Sequence, residues 1–173
     1  MTTPLVLTLI GHDRPGIVNA VSEKVAAFGA SWLESRLARL AGEFAGIVLV
    51  DVPDSNVAGL SAALKELEAI GLRITVEQSA RDDEKEDYKK LKLDLVGHDR
   101  PGIVREIAHA LTQRGVNIEE FSSRLASASF SGEKLFHVTA DLRVPEALAL
   151  DELRLLLERL ANEMMVDIRV GEQ

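Results

Sequence analysis

At 173 residues and a formal net charge of −8, the chain lacks the clustered Lys and Arg that a phosphate-backbone binder needs, so direct nucleic-acid binding is not expected. It has no Cys, which excludes disulfides, thiolate metal sites and a cysteine nucleophile. No apolar run approaches the ~20 residues of a membrane span, and Met1–Ile10 lacks the basic n-region of a signal peptide, so a cytoplasmic protein is expected.

Leu5–Ile10 is a continuous apolar run, suited to a strand buried on both faces. The loop Gly11–Gly16 follows. Ile17, Val18, Val21, Val25 and Phe28 then recur at helical spacing, with Pro15 suited to the first turn and Gly29 to the stop. Strands are predicted at Ser31–Leu40 and Glu43–Val52, joined through Ala41–Gly42. A second helix over Asn56–Ile70 places Val57, Leu60, Leu64 and Leu67 on one face and ends at Gly71. Leu72–Gln78 reads as a closing strand. The order then repeats: strand Lys89–Val96, a helix through Ile103, Val104, Ile107 and Leu111 to Gly115, strands Val116–Leu125 and Leu135–Val144, helix Leu150–Asn162, strand Met165–Val170.

The repetition is literal in one stretch. GHDRPGIV stands at Gly11–Val18 and again at Gly97–Val104, an offset of 86. The offset persists through Gly29 and Gly115, then becomes 92, where Phe44 matches Phe136 and Pro53 matches Pro145. The six extra residues fall in a longer connection, Ala126–Glu133, between the second and third strands of the second copy. A period this long indicates domain duplication and not a solenoid. Between the copies, Arg81–Tyr88 carries five acids and two bases and almost nothing apolar, as an exposed linker would. The expected division is domain 1 at residues 1–80, a charged linker at 81–87 and domain 2 at 88–173.

Each copy reads βαββαβ, an α+β arrangement with a four-stranded antiparallel sheet and both helices on one face. In the second copy Leu91, Leu93 and Leu95 alternate with polar residues and should face the helices, as should Leu5, Leu7 and Leu9 in the first. The opposite face then carries Lys92, Asp94, Thr139 and Asp141 in the second copy. In the first it carries Val6, Thr8, Ile47 and Leu49, an apolar patch that predicts packing against another surface.

The repeated octet carries the candidate chemistry. A helix start offers unpaired N–H groups and a partial positive charge, which favour a carboxylate. Gly16 and Gly102 let a ligand approach the backbone, while Asp13 and Asp99 can hold an ammonium group or cap the helix. Arg14 and Arg100 can grip a carboxylate or sit in solvent. His12 and His98 have neither a nucleophile nor an orienting partner in the sequence and read as ligand-lining or structural, not catalytic. An acceptor for an amine beside donors for a carboxylate is the chemistry of a free amino acid.

GHDRPGIV after a buried strand, in a βαββαβ module of this size, resembles the ACT domain, a ferredoxin-like regulatory module that binds amino acids. Two in tandem with no catalytic module resemble the ACT regulators of transcription in glycine cleavage metabolism. The resemblance implies ligand binding between two modules, against the first strand-to-helix loop and the start of the second strand. It points to His12, Asp13, Arg14, Gly16 and Ser31, with Trp32 read as a packing residue, and to His98, Asp99, Arg100, Gly102, Asn117 and Ile118. Asn117 can both donate to and accept from an amino acid. It further implies a small amino acid, glycine first and serine next, a homodimer, and a protein partner such as a transcription activator.

Other readings are weaker. Formyltetrahydrofolate deformylases begin with a similar module but need a catalytic domain, which is not expected here. Small subunits of acetohydroxyacid synthase, which tune a biosynthetic enzyme allosterically, carry a different second half. The G-x-S-x-G, H-E-x-x-H and Walker patterns are absent, and the four His lack metal-ligand spacing, so neither an enzyme nor a metal or other cofactor is expected. An RNA-binding sheet of this topology would need aromatics on its open face.

Overall fold

The computed structural model describes residues 1–79, 88–127 and 134–172. The chain divides into two compact units, Met1–Glu84 and Lys85–Gln173. The predicted charged linker lies outside the described residues. So does most of the predicted longer connection, although Ala126 and Ser127 prove to be strand residues.

The first unit runs β1 (Thr2–His12), α1 (Ile17–Ala27), β2 (Ser31–Leu40), β3 (Glu43–Pro53), α2 (Val57–Lys65) and β4 (Leu72–Gln78). The second runs β5 (Tyr88–His98), α3 (Ile103–Thr112), β6 (Asn117–Ser127), β7 (Lys134–Pro145), α4 (Leu150–Met164) and β8 (Val166–Glu172). The sheets are ordered β2-β3-β1-β4 and β6-β7-β5-β8, and every neighbouring pair is antiparallel. Two α+β units of ferredoxin-like topology result, as the pattern predicts.

Burial explains the pattern. Leu5, Leu7 and Leu9 of β1 are at most 1% exposed and form one cluster with Ile17, Val21 and Val25 of α1 and Leu60 and Leu64 of α2. Leu91, Leu93 and Leu95 do the same against Ile103, Ile107 and Leu111 of α3 and Leu153 and Leu157 of α4. Removing a side chain of this size from water is worth about 1.5–3 kcal/mol. The alternation along β5 therefore fixes which face the helices cover. The opposite faces differ as expected. Lys92 approaches Asp141 at 3.9 Å in the second unit, whereas Ile47 of the first stays 50% exposed.

Several boundaries move for local physical reasons. β1 and β5 outrun their apolar runs, because the ladder with β3 or β7 continues on backbone groups through His12 and His98. Pro15 and Pro101 precede the helices instead of opening them. Gly16 and Gly102 are the N-caps, at φ 93 and φ 95, so the chain turns left-handed before the first helical residue. α1 stops through a Schellman motif, with Gly29 N–H donating to the Ala26 carbonyl and Ala30 N–H to that of Val25. The single helix predicted over Asn56–Ile70 becomes a 3-10 turn at Asp54–Asn56, α2, and a 3-10 turn at Glu66–Ile70. Tightening of a final helical turn is common, and here it still buries Leu67.

The first glycine of each octet is needed for packing. A Cβ on Gly11 would lie 2.7 Å from the Gly71 carbonyl oxygen, and one on Gly97 would lie 2.2 Å from Val166 Cγ1. Both face the first residue of the unit's last strand across the ladder.

Candidate functional site

Each octet ends at the same corner of its unit. His12 pairs with Glu43 and His98 with Leu135, so both histidines close the first strand and do not begin a loop. The true loop is Asp13–Gly16 in one unit and Asp99–Gly102 in the other. Helix capping by the aspartates is overturned, since the glycine three residues later takes the N-cap place and no side chain caps either helix.

The two loops share a sequence but not their partners. Asp13 accepts a 2.7 Å hydrogen bond from Arg39 Nε at the end of β2, and its own N–H donates to the Gly42 carbonyl at 2.8 Å. Among the described residues no hydrogen bond or ion pair engages Arg14, which is exposed. In the second loop the pattern inverts. Arg100 donates through both terminal nitrogens to Glu106, at 3.1 Å and 2.6 Å. These bonds hold the Glu106 carboxyl below its ordinary range and raise Arg100. Asp99 is exposed, and among the described residues nothing is bonded to it.

The cause lies outside the octet. Arg39 faces Phe44 across the hairpin, and the residue facing the matching Phe136 is Leu125. Glu106 on α3 corresponds to Ala20 on α1, at the offset of 86. One substitution along each of β2 and α3 therefore decides which pole of the octet is already satisfied. Neither Arg39 nor Glu106 is legible from the motif. Comparing charges between the aligned copies is the signal that finds them.

The histidines are peripheral. His12 is 83% exposed at its side chain and lies 3.5 Å from Glu43. His98 lines a cavity of about 420 Å³ with Gly97, Leu135, Asn162 and Met165. No group of three metal-ligating side chains gathers among the described residues.

The starts of the second strands lie elsewhere. Ser31 is level with Asp51, itself opposite Pro4, whereas His12 is level with Glu43 and Leu40. Pro4 and His12 are eight residues apart on one strand, or about 26 Å at ~3.3 Å per residue. The octet loop and the start of β2 therefore occupy opposite ends of the sheet. Asn117 and His98 are separated in the same way. No single unit brings its predicted site residues together.

Ser31 and Asn117 also differ in surroundings. Asp51, opposite Ser31, accepts a 2.8 Å hydrogen bond from Thr2. Opposite Asn117 stands Arg143, whose guanidinium lies 4.6 Å over the Tyr88 ring, donates to Tyr88 Oη at 2.6 Å and pairs with Glu119 at 3.3 Å. Asn117, Arg143 and Tyr88 line a cavity of about 380 Å³ with Gly115 and Pro145. The next residues, Trp32 and Ile118, are partly buried and pack against their cores. A larger groove of about 590 Å³ opens on the apolar face of the first unit, along Val6, Leu33, Ile47 and Leu49.

Comparison with known proteins fits this anatomy. The ACT domain family matches residues 3–77 and again residues 93–150. The chain is a tandem ACT-domain protein. Its fold is shared along its whole length, at 30% identity and a TM-score of 0.88, with an unknown protein from Galdieria sulphuraria, 99% of which is covered. A structure assigned as a glycine cleavage system transcriptional repressor superposes with a TM-score of 0.71 at 23% identity, covering 99% of this chain and 97% of that one. In sequence, this ACT protein is 48% identical over 46 residues to the glycine cleavage system transcriptional repressor of Escherichia coli (strain K12). That match spans 27% of this chain and 24% of the relative, so it supports a regulatory role and not the whole relative's activity. No helix among the described residues is long and apolar enough to cross a membrane.

Proposed function

We propose that this tandem ACT-domain protein is a non-enzymatic, amino-acid-binding regulator of transcription in glycine cleavage metabolism, acting through a protein partner. The observation that carries the reading is the twice-built octet corner. Each copy places an aspartate and an arginine, adjacent in the loop, just before a left-handed glycine at a helix start, and these are the two charges that a zwitterion matches. With a net charge of −8, the chain is better suited to a protein partner, such as a transcription activator, than to DNA itself.

The half-sites at opposite sheet ends give a role to dimerisation. β2 and β6 are edge strands. Antiparallel pairing of such an edge with its counterpart in a second copy sets the octet end of one sheet level with the second-strand start of the other. Ligand bound there favours the paired arrangement, and a partner that prefers that arrangement senses it by linkage.

Glycine, then serine, is the first ligand to titrate by calorimetry. Saturable binding, together with capture of a transcription activator that changes when the ligand is added, is the expected result. Absence of binding by all twenty amino acids, or capture that is indifferent to them, overturns the reading.

A further inference from the structure

We propose that the two modules are not equivalent sensors, and that the second takes the amino acid while Arg39 closes the first. The inference rests on the amino-acid-binding reading above and assigns the site within it. Two independent differences, at opposite ends of each sheet, point the same way.

At the octet end, an ammonium needs an available carboxylate. Asp13 already holds Arg39 Nε at 2.7 Å, so an incoming amine must displace a guanidinium from a charge-assisted hydrogen bond. Among the described residues Asp99 meets no such competitor, and the position matching Arg39 is Leu125, which is 53% exposed and cannot donate. Arg100, by contrast, is held against Glu106, so among the described residues the Asp99 carboxylate is the charge of the second loop with no partner.

At the other end, the ligand carboxylate meets whatever stands beside the first residue of the second strand. In the first module that is Asp51, of like charge. In the second it is Arg143, stacked on Tyr88 and lining the 380 Å³ cavity with Asn117. The guanidinium is oriented before a ligand arrives, which lowers the ordering cost of binding. Across a pair of chains, the second modules thus present Asp99 for the amine and, beside Asn117, an Arg143 already shared with Glu119 and Tyr88 for the carboxylate. The first presents a neutralised acceptor and a repelling acid. Arg39 and Asp51 determine specificity by exclusion, and Asp99 and Arg143 by recognition.

The test is calorimetry of the full chain with the twenty amino acids, on wild type, Asp99→Asn, Leu125→Arg and Asp13→Asn. Circular dichroism confirms that each variant is folded. Asp99→Asn removes the amine acceptor, and Leu125→Arg rebuilds the Arg39 closure on the second loop. The expected result is one binding event per chain, weakened at least about tenfold by either change. Two equal events per chain overturn the proposal. So does binding that survives both second-loop variants and is lost in Asp13→Asn; either outcome leaves the amino-acid-binding reading intact. Wild type that binds none of the twenty sinks both.

Discussion

Replacing Gly11 by Ala separates packing from ligand chemistry within the octet. The new methyl would lie 2.7 Å from the Gly71 carbonyl oxygen, 3.2 Å from Leu72 Cδ1 and 3.3 Å from Leu72 Cα. Two of these three atoms are backbone, and the close one belongs to the turn that delivers β4, so β4 must move away from β1. Overpacking of this kind costs about 1–3 kcal/mol. For a domain of 60–100 residues each kcal/mol lowers the midpoint by about 4–8 °C, so the first module should melt roughly 4–24 °C lower. Scanning calorimetry reads this as a shift of the first module's transition. Amino-acid binding measured well below that midpoint should be kept. A variant that melts like wild type yet loses binding would refute the reasoning, because the glycine would then serve the ligand and not the sheet.

Leu7→Ala and Leu93→Ala each empty a fully buried position and should cost about 2–5 kcal/mol in urea denaturation of the respective module. Gly16→Ala and Gly102→Ala meet no steric wall within 3.4 Å, yet both force a side chain into a left-handed backbone. Each should destabilise by about 1–2 kcal/mol, with no change in the unfolding slope. The Arg100–Glu106 pair predicts a pH signature. Glu106 is held below its ordinary value of 4.5, so its contribution is present above that pH and is lost as pH falls through the lower folded value. The stability gap between wild type and Glu106→Gln, measured in urea, should be largest near pH 7 and shrink toward pH 3. A gap that widens with acid would contradict the pairing.

Much of the architecture was legible without coordinates, because local rules write it. Leu91, Leu93 and Leu95 alternate with polar neighbours since one face of β5 is covered by helices and the other is not. Ser31–Leu40 and Leu72–Gln78 matched residue for residue, both bounded by a glycine turn or stop. The duplicated octet located the corner of each module and identified the family. Reading stopped being reliable where backbone pairing outruns side-chain pattern, as at His12, and where a helix tightens at its end, as at Glu66–Ile70.

Which octet charge is engaged was beyond the sequence motif. Asp13 and Asp99 sit in identical strings, and the difference between them is made by Arg39, 26 residues on and across a hairpin, and by its absence at Leu125. Likewise the donor and acceptor of Asn117 are legible from its own chemistry, while the larger distinction from Ser31, Arg143 against Asp51, comes from the neighbouring strand. Periodicity and repetition are carried by residues close in sequence, so the chain alone determined the elements, the duplication and the two candidate corners. The electrostatic state of those corners depends on charges brought together by strand register and falls off over a few ångströms. Only the tertiary structure could decide it.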